Sequence, residues 1–191
     1  LKPDNQSTKI MNITIIPTKK RLHNKTLSDY RNEMRHYLMT SRFNEKTWLE
    51  NQEYREKNSK MGCIYCSPNP VSMNIPHEGI MFILEMNNDT NEILGVGMVA
   101  NRPKINKNIV YENGNYNRYN FSGNHRICRA EMTAKEEDIM CVFEILCFTG
   151  NRHMKRGQGL TMFPVDMLYK CHNKMDLLKF VRNMFKTRYS K

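Results

Sequence analysis

The chain has 191 residues, 39% hydrophobic and 26% charged, with a formal net charge of +11. That length suits one domain able to bury a core without disulfide or metal staples. No stretch reaches the roughly 18 apolar residues of a membrane span. The six cysteines show no paired framework, which excludes a disulfide-built secreted domain and points to a reducing, intracellular compartment, whether cytoplasm, nucleus or virion.

Residues 1–25 read as a polar N-terminal arm, with an apolar run from Met11 to Ile16 and a basic cluster at Lys19, Lys20 and Arg21. Residues 26–191 read as a single α+β domain. Leu27, Tyr30, Met34, Tyr37 and Leu38 recur at helical spacing behind Thr26 and Ser28, which predicts a helix. A second helix is predicted over 44–58, with Asn44 as N-cap and Trp48 on its inner face. Residues 62–65 predict a short strand, and the three prolines in 67–76 a loop.

Residues 79–86 are the strongest core strand, 87–91 carry turn residues, and 92–100 form the antiparallel partner. Gly95 and Gly97 inside that partner predict a bulge or a close backbone approach. Strands at 109–111 and 116–121 are expected to form a hairpin across Asn113-Gly114. Thr133 and Glu136 make a capping box before a helix whose apolar face carries Ile139, Val142, Phe143 and Leu146. A glycine-containing loop at 150–159 then precedes helices over 163–171 and 175–185. A β core flanked by helices at both ends is an α+β arrangement.

The positive charge is clustered. Residues 150–191 hold ten Lys/Arg against two Asp, and residues 101–131 hold six against two acids. Residues 80–100 hold none against three. Such clustering is the electrostatic footprint of a polyanionic partner, RNA or DNA above all. The loop Gly150-Asn-Arg-His-Met-Lys-Arg-Gly-Gln-Gly159 combines four cation-capable side chains with three glycines and is expected to open onto a helix. Glycines admit a ligand close to the backbone, and a helix N-terminus offers free N–H groups. Arg152, His153, Lys155 and Arg156, with the backbone of Gly157 and Gly159, are therefore the candidate phosphate ligands. The bland alternative is a helix cap followed by an ordinary basic loop.

Aromatic and arginine side chains can stack bases. Tyr116, Arg118 and Tyr119 on a predicted strand, with Arg126 and the lone Trp48, are the candidate base contacts, although the same residues suit a packed core. Cys63 and Cys66 form one CxxC with no second pair at matching spacing, so no metal ligand is assigned. The six histidines are scattered, and neither GxSxG nor HExxH occurs. Glu85, Asp89, Glu131 and Asp166 are the acids a metal-dependent nuclease would have to gather, and their spacing does not suggest it. No catalytic residue and no cofactor is assigned.

The strand pair Phe82–Asn101, preceded by a Trp-bearing helix and a Gly-initiated strand, resembles the barrel core of PUA-like domains, in the style of the EVE, ASCH and YTH groups. The resemblance covers about residues 44–130. It implies a small bent antiparallel β-barrel with flanking N- and C-terminal helices, and a pocket for an RNA base or modified base beside the "G-x-G-x-V" strand. The Trp-Gly-Val-Arg-Asn run of EVE domains is replaced after Trp48 by Leu49-Glu50-Asn51-Gln52, and a single Trp cannot build a cage of tryptophans. The Lys/Asn/Ile/Met-rich composition also resembles that of proteins of large cytoplasmic DNA viruses.

The expectation is thus a nucleic-acid-binding domain without catalysis and without a membrane partner. One alternative is an assembly protein, of a virion or another complex, whose basic surface meets an acidic protein. The other is a nucleic-acid-processing enzyme. A defined pocket beside the 150–159 loop would favour the first, a large exposed apolar patch the second, and converging carboxylates the third.

Overall fold

The computed structural model describes residues 26–190. The polar arm, with its apolar run and basic cluster, lies outside the described residues.

Helix α1 (Leu27–Glu33) starts at a reciprocal cap between Thr26 and Asp29 and ends where Met34 turns extended, at ψ 126°. The predicted helix is therefore cut short, and Tyr37 and Leu38 belong to strand β1 (His36–Phe43). Residues 38–41 of β1 are all buried, so it lacks the alternation of apolar and polar residues that marks a half-exposed strand. Helix α2 (Glu45–Lys57) keeps its expected cap, with Asn44 accepting from the Thr47 N–H and Thr47 answering to the Asn44 backbone. Strand β2 (Cys63–Ser67) follows, then β3 (Ile80–Asn87) and β4 (Glu92–Ala100), paired antiparallel as predicted.

The predicted hairpin at 113–114 is not formed. Residues 114–117 make a 3-10 turn, and the Asn117 amide replaces a strand partner. It accepts from the N–H groups of Val110 (2.9 Å) and Tyr111 (3.0 Å) and donates to the Tyr111 carbonyl (2.6 Å). A two-residue strand β5 (Lys104–Ile105), β6 (Tyr119–Gly123) and β7 (His125–Cys128) complete the middle. Helix α3 (Ala134–Phe148) has its capping box from Thr133 and Glu136, and buries Ile139, Met140, Phe143 and Cys147. Val142, expected inward, is exposed. Strand β8 (Thr161–Met162) precedes α4 (Val165–His172) and α5 (Leu177–Tyr189).

The strands form a five-stranded sheet in the order β7-β4-β3-β1-β8 and a three-stranded sheet in the order β2-β6-β5. Only β1 and β3 are parallel. Alternate residues of β3 face opposite cores, as the two-residue repeat of a strand requires. Phe82, Leu84 and Met86 meet the helices α1, α3, α4 and α5, with Phe143, Phe163 and Val181 among their neighbours. Met81 and Ile83 meet Ile64, Tyr65 and Phe121 of the smaller sheet. Each such fully buried side chain contributes about 1.5–3 kcal/mol. The result is an α+β fold in three layers, with helices on one face of the larger sheet and the smaller sheet with α2 on the other. Among the described residues the strand ladders do not close into a ring.

Candidate functional site

A cavity of about 590 Å³ adjoins the 150–159 loop. Its walls come from the end of β1 (Ser41–Phe43), the start of α2, Cys66 at the end of β2, Asn88 after β3, the segment carrying Tyr111 and Tyr116, and Gly157–Gly159. That volume lies within the range of small-ligand sites. Tyr111 and Tyr116 meet edge to face, with ring centres 6.4 Å apart. The Tyr111 hydroxyl accepts from the Asn51 amide at 3.1 Å, which fixes the ring. Asn44, Asn88, Asn113 and Gln158 add amide groups to the walls. Lys46 and Glu112 pair at the rim, which raises the lysine pKa and lowers that of the carboxyl.

Arg42 is the residue that sequence reasoning missed. Its Nε donates to the Met154 carbonyl and its Nη2 to the Thr161 hydroxyl (2.7 Å), so it moors the loop to β8. Its Nη1 is buried without a hydrogen-bond partner among the described residues. Burial lowers its pKa. The available signal was a lone cation inside the run His36–Phe43, a strongly buried stretch where a charge is costly.

The loop itself departs from expectation. It runs into β8 rather than directly into a helix, and α4 begins only at Val165. Two residues of edge strand leave no readable pattern, which is why a direct passage into a helix was expected. Arg152 is not left for an outside anion: it pairs with Asp166 of α4 at 2.7 and 3.1 Å. Lys155 donates to the Asn91 side chain at 2.8 Å, and its carbonyl accepts from the Asn88 amide at 3.0 Å. His153 is half-buried, with Nδ1 lacking a hydrogen-bond partner among the described residues. Arg156 is exposed and makes no hydrogen bond or ion pair among the described residues. Gly159, at φ 63°, passes so close to Ser67 that a Cβ would overlap its hydroxyl oxygen. That close approach is to the protein itself. Gly157, at φ 124°, lies on the Arg42 guanidinium and also lines the cavity.

The candidate base contacts separate into three places. Tyr116 lines the cavity. Trp48 packs edge to face on Phe43, 5.1 Å between centres, and carries the guanidinium groups of Arg55 (5.4 Å) and Arg126 (5.5 Å) over its ring. Trp48 and Arg126 border a second depression of about 360 Å³. Arg118 lies over Tyr119, 5.4 Å from the ring centre, away from both.

Arg126 is also committed within the fold. Its guanidinium grips Glu85 through Nε (2.9 Å) and Nη2 (2.7 Å), and the Tyr65 hydroxyl donates to the same carboxylate at 2.7 Å. The Glu85 side chain is 0% exposed and that of Arg126 10%. Burial, then Glu85, pushes the Tyr65 pKa far up, so the phenol stays a donor. The β4 glycines are explained by this cluster. A Cβ on Gly97 would overlap the Tyr65 hydroxyl, and one on Gly95 would crowd Glu85 and Arg126 at 2.8 Å. The close approach predicted at Gly95 and Gly97 is thus made by the protein's own side chains.

Cys63 and Cys66 lie within β2, three residues apart, where their side chains point to opposite faces. Burial raises both pKa values to about 12, so both are neutral thiols. Glu85, Asp89, Glu131 and Asp166 are carried apart: Glu85 to the buried cluster, Asp89 to the Glu45 N–H, Glu131 to the Cys128 N–H and Asp166 to Arg152. Among the described residues no three His, Cys, Asp or Glu side chains are grouped to hold a metal ion. No helix among them is long and apolar enough to cross a membrane.

At the far end of α2 from the cavity, a shallow concavity of about 400 Å³ is lined by Lys57, Lys60 and Lys104 with Ser122 and Asn124, and by no carboxylate. No family model, curated protein or solved structure matches this chain.

Proposed function

We propose that this chain is a nucleic-acid-binding domain of PUA-like type, with its two sheets as an open counterpart of the small barrel. In this reading the cavity between α2 and Gly157–Gly159 receives one base or nucleotide, with Tyr116 as its aromatic wall. The cavity carries the proposal: it adjoins the basic loop, it is large enough for a nucleoside, and its aromatic and amide lining suits a flat, hydrogen-bonding ligand. Arg156 and Lys155 at one side, and Lys57, Lys60 and Lys104 beyond the other end of α2, supply positive charge for phosphates.

The test is equilibrium binding of single- and double-stranded RNA and DNA across a salt series, with wild type and Tyr116→Ala. Affinity is expected to fall log-linearly with salt, by about 0.7 per neutralised phosphate on a single strand. Tyr116→Ala is expected to weaken binding with an unchanged salt slope, since it removes stacking and no charge. Failure of every oligonucleotide to bind at low salt would refute the proposal.

A further inference from the structure

Arg42 has a feature the fold does not account for. Arg126, Arg129 and Arg188 are comparably shielded, and each meets a carboxylate: Glu85, Glu137 with Glu144, and Glu136 respectively. Arg42 meets only a carbonyl and a hydroxyl, both neutral. Its ionisable neighbour Cys147 has a pKa raised to about 12 by burial, so it is a thiol and supplies no counter-charge. The two carboxylates in the cavity wall are turned elsewhere, Glu112 to Lys46 and Glu50 to the Glu112 N–H. A shielded guanidinium without an anion is costly, and an arginine offers paired donors that match a phosphate.

A second unmatched group sits in the same wall. Asn88 lines the cavity, donates its amide to the Lys155 carbonyl and leaves a buried Oδ1 without a donor. Since that carbonyl can only accept, the amide orientation is fixed and the orphan is an acceptor. The cavity thus lacks one anion and one donor at once. A nucleotide carries both, in its phosphate and in its ribose hydroxyls or base N–H groups.

We propose that Arg42 is the phosphate-binding residue of this cavity, and that the ligand enters with its phosphate on the Arg42 guanidinium and a hydroxyl or N–H on Asn88. Nη1 is covered by Gly157, whose Cα would place a Cβ 3.3 Å from Cζ. The phosphate reaches it by a small shift of Gly157, which has no side chain to displace. The phosphate belongs either to a strand end or to a free mononucleotide. This inference rests on the nucleotide reading of the cavity.

The experiment titrates wild type, R42K and R42Q, each checked for folding by circular dichroism, with four probes. These are the common ribonucleosides, their 5′-monophosphates, and one single-stranded oligonucleotide with or without a terminal phosphate. A charge-assisted contact predicts that wild type prefers a monophosphate over its nucleoside by about ten- to hundred-fold. R42Q is expected to abolish that preference and R42K to keep part of it. A preference equally strong in folded R42Q, or none in wild type, overturns the assignment, and the wild-type arm holds whether or not the variants fold. A terminal phosphate that strengthens oligonucleotide binding by the same factor identifies strand ends as the source, and a preference confined to monophosphates identifies free nucleotides. Oligonucleotide binding with no phosphate preference overturns the role of Arg42 and leaves the nucleic-acid proposal standing. Monophosphate preference with no oligonucleotide binding does the reverse, and no binding of any probe overturns both.

Discussion

Replacing Arg126 by Met removes the cation that faces Glu85 and leaves its shape largely filled. Glu85 would keep only the Tyr65 hydroxyl, at 2.7 Å, inside a site where its side chain has no exposure. Removing one partner of a buried pair costs about 3–5 kcal/mol. The lower end is appropriate, because Arg126 itself keeps 10% exposure and water can enter the space it leaves. For a domain of this size about 3 kcal/mol lowers the melting temperature by about 6–12 °C. Urea titration and thermal melting both read this. The companion variant Arg126→Met/Glu85→Gln removes the stranded charge and keeps an acceptor for Tyr65, so it is expected to recover at least half of the loss. If Arg126→Met costs under about 1 kcal/mol, or the double variant is no better than the single one, Glu85 is not a buried charge held by Arg126. The space made by Gly95 and Gly97 would then need another explanation.

Three further outcomes follow from the same geometry. Gly97→Ala is expected to cost about 1–3 kcal/mol through overlap with the Tyr65 hydroxyl, and Tyr65→Phe in the same chain to restore part of it, as measured by urea titration. Hydrogen bonds from Arg188, joined by those from Thr133, outweigh burial and depress the Glu136 pKa to about 2, so this carboxylate stabilises the fold above its unfolded value near 4.5 and ceases to as pH falls towards 2. Arg188→Met should therefore lower stability at neutral pH by about 2 kcal/mol and flatten the acid limb of a stability–pH profile, and an unchanged limb would refute it. Lys155→Ala/Arg156→Ala is expected to weaken oligonucleotide binding across sequences and reduce the salt slope by about one per lost contact, with little change in stability, whereas an unfolded double variant would make these residues part of the clasp that holds the loop.

What could be read from sequence was what short-range chemistry decides. The caps at Asn44 and Thr133, the turn after Asn87 and the pairing of β3 with β4 each depend on residues within a few positions of one another. The start of β1, Tyr37 and Leu38, reads as the end of a helix because the strand's identity depends on β3 and β8, far away in the chain. The Asn-Gly pair at 113–114 signalled a hairpin, yet the Asn117 amide claimed the backbone groups the hairpin needed. In the candidate site, the basic loop and Tyr116 were visible as local composition. The cavity was not, since its walls come from segments that meet only in three dimensions. Arg152 looked available because its partner Asp166 is 14 residues on, across a strand too short to foresee.

The placement of β1 also governs when the site can come into being. His36 pairs with Ile80, and Thr40 pairs with Thr161 on the other side. During synthesis from the N-terminus, the β1 segment leaves the ribosome among the first parts of the domain, yet it cannot be flanked on both sides until more than a hundred further residues have followed. Its apolar residues, Leu38, Met39 and Phe43, must stay shielded meanwhile by provisional contacts or by a chaperone. The β3–β4 hairpin can form early and give β1 a first edge. The cavity beside Arg42 can form only once Gly157–Gly159 has been made, more than a hundred residues after the strand end it lies against.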